Sequence, residues 1–156
     1  MSFVEWIGAW PGAVLLQRSG TAYLLVNAVH IVGVGLLVGA ILPLDLRLLG
    51  LFRRAPLEVI GPFLSRAAAV GVALAIATGL WLFTVKPAEY LDNAAFLCKV
   101  ALLALALGNV VLQHRNHRFQ VALAGGELHA SVRLIAACSA ILWLSVLVAG
   151  RWIGFI

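Results

Sequence analysis

Apolar residues do not alternate with polar ones along this chain. They fall into four blocks, separated by short stretches that hold most of the charge. The first block covers about Gly20 to Leu42, reads TAYLLVNAVHIVGVGLLVGAIL from Thr21, and is expected to end at Pro43. The second is expected to open on Gly61-Pro62, where proline loses only an N–H that a helix start leaves orphaned. It should run to about Val85, before Lys86-Pro87. The third covers about Ala94 to Gln113 and the fourth about His129 to Ile153. Each is near the ~20 residues that a helix needs to cross the hydrocarbon core. Barrel strands would need alternating polarity over about ten residues, and the blocks lack it. The expected fold is all-α: an integral membrane four-helix bundle over residues 20–156, behind an interfacial segment over residues 1–19.

That leading segment, MSFVEWIGAWPGAVLLQRSG, places Trp6, Trp10 and Val14 at helical spacing. Tryptophan favours the headgroup level, so a short interfacial helix or a re-entrant segment is expected. A signal peptide is not, because no basic region precedes the apolar stretch and Glu5 sits where positive charge belongs.

Composition agrees with a bilayer as solvent. Hydrophobic residues make up 63% of the 156, mean hydropathy is +1.07 and charged residues are 11%. A water-soluble domain carries far fewer apolar residues. The formal net charge of +5 therefore reads as a topology signal rather than a nucleic-acid footprint. Four spans put both termini on one face, A, with the loop between spans two and three. Face B carries Arg47, Arg53, Arg54, Arg115 and Arg118, with Arg66 and Arg133 just inside its helices. Face A has Arg18, Lys86 and Arg151, with Lys99 a little inside. The surplus on B makes it the cytoplasmic side, so both termini are expected in the periplasm of a bacterial inner membrane. Cys98 and Cys138 lie inside apolar blocks without CxxC spacing and read as small hydrophobes. No internal repeat, Walker-type or GxGxxG sequence, or serine elbow is present, so the usual soluble-enzyme chemistries are not expected.

Intramembrane ionisable residues are where chemistry should lie. His30 is ten residues past Gly20, about 15 Å along the helix, which places it near the midplane. Tyr23, Asn27 and His30 share one helical face, and Gly33 and Gly35 follow, as suits close approach to another helix or to a flat cofactor. One reading of His30 is a core histidine bonded to a neighbouring helix; the other is a haem or metal ligand. Lys99 either snorkels to the interface or reaches inward toward His30, as a partner for a cofactor carboxylate or as an axial amine. Arg133 and Arg151 share a face of span four with Ala140, Leu144 and Leu147, and that face is expected to point into the bundle. Asp45 is the expected acidic partner of Arg66 or Arg133; otherwise these arginines bind a propionate, a quinone headgroup or an anionic lipid. His114, His117 and His129 crowd face B as a weak candidate metal site, the first two at i, i+3.

Three segments resemble the small four-helix membrane proteins of the CopD and HemJ group. They are NAVHIVGVGLLVGAILPLDLRLLG, SRAAAVGVALAIATGLWLF and YLDNAAFLCKVALLALALGNVVLQHR, closed by LWLSVLVAGRWIGF. The resemblance covers nearly everything from Tyr23 onward. It implies that a first-span His and a third-span Lys, here His30 and Lys99, serve haem b. The tryptophan-rich stretch that follows the His in HemJ proteins is replaced here by VGVGLLVGA, which argues against porphyrinogen oxidation. The leading expectation is a haem b-binding membrane electron-transfer protein, quinone-linked or the membrane subunit of a redox complex; if an enzyme, it is a haem-dependent membrane oxidoreductase. The alternatives are a copper or small-solute transport component, and a cofactor-free structural anchor whose small residues in span four (Ala136, Ala137, Ala140) pack against a partner helix.

Overall fold

A computed structural model describes residues 3–155, with the Phe3 side chain excepted. In chain order the helices are α1 (Phe3–Ala9), α2 (Pro11–Arg18), α3 (Gly20–Leu49), α4 (Leu57–Phe83), α5 (Pro87–Leu91), α6 (Ala94–Arg115), α7 (His117–Leu123) and α8 (Ala130–Trp152). A 3-10 turn at Ile153–Phe155 follows α8, and no strand occurs among the described residues. The helices α3, α4, α6 and α8 are long and apolar enough to cross a membrane. The chain is an all-α four-helix membrane bundle.

Its outside is what a bilayer demands. In the most apolar stretch of each spanning helix only 11–28% of residues are buried, so most apolar side chains face outward. Leu24, Ile31, Phe63, Leu80, Leu105 and Ile141 are each more than 60% exposed, which water would not tolerate across whole helices. Asp45, Thr78, Gln113 and Ser139 are buried instead. Gln113 Nε2 donates to the Val132 carbonyl at 3.2 Å and Asn109 Nδ2 to the Ile135 carbonyl at 3.2 Å, tying α6 to α8.

Two of the expected boundaries move. Span one does not stop at Pro43 but continues to Leu49, where Gly50 closes it in the left-handed region at φ 103°. Proline is tolerated inside a membrane helix when its neighbours compensate, and the extra turns carry Leu44 and Leu48, buried to 3% and 1% exposure. Packing outweighs the missing hydrogen bond. Span two starts at Leu57 rather than Gly61, because Leu57 is itself buried and Pro62 still falls in the opening turns. The other starts are capped by side chains: Ser19 accepts from Ala22 N–H, Asn93 from Phe96 N–H and His129 from Ser131 N–H.

The leading segment is two helices, broken at Trp10-Pro11, not one, so Trp6 and Val14 do not share a helix. It docks on the face-A end. Trp81 Nε1 donates to the Gly12 carbonyl at 3.0 Å, and Gln17 Nε2 bridges the carbonyls of Gly8 and Val85 at 3.1 Å each. Beside it Phe83 stacks on Phe96 at 5.5 Å, and Tyr90 of α5 meets Phe96 at 5.2 Å, closing the turn between spans two and three.

Within the bundle α3 packs chiefly on α4 and α6 on α8, and α3 against α8 joins the two pairs. The α3/α4 crossing is backbone to backbone. A Cβ on Gly71 would sit 2.4 Å from the Leu37 nitrogen, and one on Gly33 would sit 2.8 Å from the Ala75 nitrogen. Glycine is required at both, as in small-residue helix crossings within membranes. Gly33 therefore serves the close approach of α3 to α4.

Candidate functional site

The α3/α4 crossing aims the ring of His30 at Thr78. His30 Nδ1 lies 3.0 Å from Thr78 Oγ1, and the Thr78 hydroxyl lies 2.6 Å from the Leu74 carbonyl of its own helix. A hydroxyl has one proton, and back-bonding to the i−4 carbonyl uses it. Thr78 therefore presents a lone pair to the imidazole, and Nδ1–H is the donor. The backbone of Ala75, three residues before Thr78, is a further hydrogen-bonding neighbour of the ring. This assignment leaves Nε2 with its lone pair. Gly79 makes the fit possible: a Cβ there would come within 3.1 Å of His30 Cε1.

Lys99 approaches from the other helix pair. Its ammonium is within electrostatic reach of His30, and its stem lies over Gly150, where a Cβ would meet Lys99 Cε and Nζ at 3.3 Å. The expected difference in depth between His30 and Lys99 is absent. Thr78 lies five residues before the end of α4 and Lys99 five after the start of α6, each about 8 Å from face A. His30 is the eleventh of the 30 residues of α3, about 15 Å from its Gly20 end, and sits level with Thr78. Lys99 is half-buried.

The other predicted residues are placed elsewhere. Tyr23 interacts with Tyr90 of α5, outside the membrane, where burial and the Tyr23 hydroxyl hold the Tyr90 phenol above its usual pKa. Asn27 is half-buried, and among the described residues no hydrogen bond ties it to His30 or Thr78. The face of α8 bearing Arg133, Leu144, Leu147 and Arg151 points outward, not inward: Leu144 and Leu147 are 45% and 41% exposed, and the buried stripe is Val132, Ala136, Ser139 and Trp143. Long arginine stems let both guanidinium groups reach the interfaces; Arg151 settles over the Phe155 ring at 4.9 Å. Ala136 is fully buried within this chain.

Asp45 pairs with neither Arg66 nor Arg133. Its carboxyl is 3% exposed, has Ser139 as its hydrogen-bonding neighbour, and leaves Oδ2 without a partner, while both arginines are exposed. The face-B histidines do not gather either. Asn116 breaks the helix between His114 and His117, so the i, i+3 relation is not on one helix. His114 Nδ1 meets the Val110 carbonyl at 2.9 Å, and His129 caps α8 and meets the Arg118 guanidinium at 2.6 Å. Among the described residues no three His, Cys, Asp or Glu side chains come together as a metal site.

Thr78, Gly79 and Gly150 were not singled out from the sequence. The signal was present for one of them, since Thr78 is the sole hydroxyl-bearing side chain between Arg66 and Phe83. Chemically, a neutral imidazole with an open Nε2 can ligate a metal or accept a proton, and a nearby ammonium can hold an anion.

No curated protein and no solved structure matches the chain. A family model matches residues 2–156. By that match the protein belongs to the family of unknown function DUF6644.

Proposed function

We propose that this protein binds haem b and passes electrons within the membrane, either to or from quinone or as the membrane subunit of a redox complex. The observation that carries the reading is the orientation of His30. Ligating histidines almost always donate their other ring N–H to a fixed acceptor, which sets the tautomer and raises ligand basicity. Nδ1–H to Thr78 Oγ1 at 3.0 Å is that arrangement, with Nε2 as the ligating atom. The donor set fits the group: one imidazole for the iron, and Lys99 at the same depth to hold a propionate. Bundle cofactor sites are built from side chains on facing helices in this way. Haem, when bound, supplies one-electron redox chemistry. Of the chain's own residues, Thr78 orients the imidazole, Lys99 would neutralise a propionate, and the apolar helices around the site would lower its dielectric, which together would tune a potential. The CopD and HemJ resemblance points to the same two residues. In the accompanying topology face B is cytoplasmic and both termini are periplasmic in a bacterial inner membrane.

The test is the absorption spectrum of detergent-purified protein supplied with haem, oxidised and then reduced with dithionite. A Soret band that disappears in His30→Ala is expected. A colourless wild type, or a band unchanged in His30→Ala, removes the assignment and leaves His30 as a helix-joining residue.

A further inference from the structure

At the opposite end of the bundle a cavity of about 470 Å³ opens between the α3–α4 turn and the α7–α8 turn. Arg47, Arg53 and Arg133 line it, from the last turn of α3, the following loop and the first turn of α8. Glu58 and Glu127 also line it, yet among the described residues neither forms an ion pair with these arginines. Arg47 and Arg53 are steered by their Nε atoms, which donate to the Ala55 carbonyl at 2.8 Å and the Gly50 carbonyl at 2.9 Å. Each is thereby held by the inner edge of its guanidinium while the terminal nitrogens keep their donors. A tethered guanidinium loses less freedom on meeting an oxyanion than a loose one, and its planar fork matches phosphate oxygens.

The formal charge of the five ionisable lining groups is +1, from three arginines against two glutamates. The surrounding surface adds to it: Arg54, Arg66, Arg115 and Arg118 belong to the same end of the molecule. The cavity therefore sits in a positive field at the level of one lipid leaflet's headgroups. Basic pockets between membrane helices are suited to anionic lipid headgroups. We propose that this cavity binds a phosphate group, supplied by an anionic lipid headgroup of the face-B leaflet, with Arg47, Arg53 and Arg133 as its ligands. The site is independent of the haem reading, which concerns the other end of the bundle.

Binding is measured on detergent-purified full-length protein by native mass spectrometry with phosphatidylglycerol, phosphatidylcholine and inorganic phosphate as separate probes. Retention of phosphatidylglycerol over phosphatidylcholine is expected, with binding about fivefold weaker in Arg133→Gln and unchanged in Arg66→Gln, which lies outside the cavity. The Arg133 side chain makes no hydrogen bond among the described residues, and its backbone N–H bond to the His129 carbonyl survives substitution, so Arg133→Gln should remain helical by circular dichroism; Arg53→Gln serves as the second variant. Binding of inorganic phosphate that is equally sensitive to Arg133→Gln supports the same site with free phosphate as its source. Equal retention of both lipids with no phosphate binding, or equal losses in Arg133→Gln and Arg66→Gln, overturns the proposal.

Discussion

Thr78 Oγ1 accepts a hydrogen bond from His30 Nδ1–H and donates its own to the Leu74 carbonyl. The distances are 3.0 Å from His30 Nδ1 and 2.6 Å to the Leu74 carbonyl, with the Ala75 carbonyl farther off at 3.4 Å. One threonine thus joins α3 to α4 and selects the imidazole tautomer.

Removing that acceptor should separate the two consequences. Thr78→Val keeps shape but deletes the lone pair, and Thr78→Ser restores it. Loss of an outer partner of a ligating histidine costs about 10–100-fold in affinity. Haem titration followed at the Soret band is expected to weaken by that factor in Thr78→Val and to recover in Thr78→Ser. Equal affinities in all three proteins would mean that the hydrogen bond does not support the ligand.

The crossing that places His30 depends on Gly71. An added Cβ would lie 2.4 Å from the Leu37 nitrogen and 2.8 Å from its Cα, both backbone atoms that a rotamer change cannot move. Gly71→Ala must push α3 and α4 apart, an overpacking cost of about 1–3 kcal/mol. Unfolding of the purified protein in mixed micelles should show it. Gly35→Ala, where a Cβ meets nothing within 4 Å, is the control and should be neutral.

Charge on face B predicts topology. An alkaline phosphatase fusion at the C-terminus should be active and a green fluorescent protein fusion dark, since both termini are expected outside. The reverse pattern would place the arginine-lined cavity in the periplasmic leaflet.

The face-A turn carries a pH dependence. Burial raises the Tyr90 phenol above its usual value, so the folded state holds the proton more tightly than the unfolded chain. By linkage the full contribution is present below pH 10 and is lost as the pH climbs past it. Thermal stability of the wild type should fall as the pH rises beyond about 10, and Tyr90→Phe should flatten the decline. An identical decline in both proteins would place the alkaline sensitivity elsewhere.

Hydropathy alone determined that the chain is helical, that it crosses a membrane four times, and to within a few residues where spans three and four lie. A bilayer exerts one strong demand, an apolar exterior about 20 residues long, and that demand is written locally in sequence. It was equally enough to point at His30 and Lys99, because ionisable groups stand out against an apolar background.

What the local pattern did not hold is which way each polar residue turns. Arg133 and Arg151 looked inward by economy of charge, yet Val132, Ala136, Ser139 and Trp143 fill that face and the arginines reach the interfaces. Asp45 looked paired with arginine but meets Ser139 across α3 and α8. Thr78 and Gly79 acquire meaning only once Gly33 and Gly71 let two backbones touch and set the register that faces them to His30. Length followed as well, since Leu44 and Leu48 are buried and carry α3 beyond its proline to Leu49. Span and composition are properties of one helix; orientation, register and partner are properties of pairs, and only packing decides them.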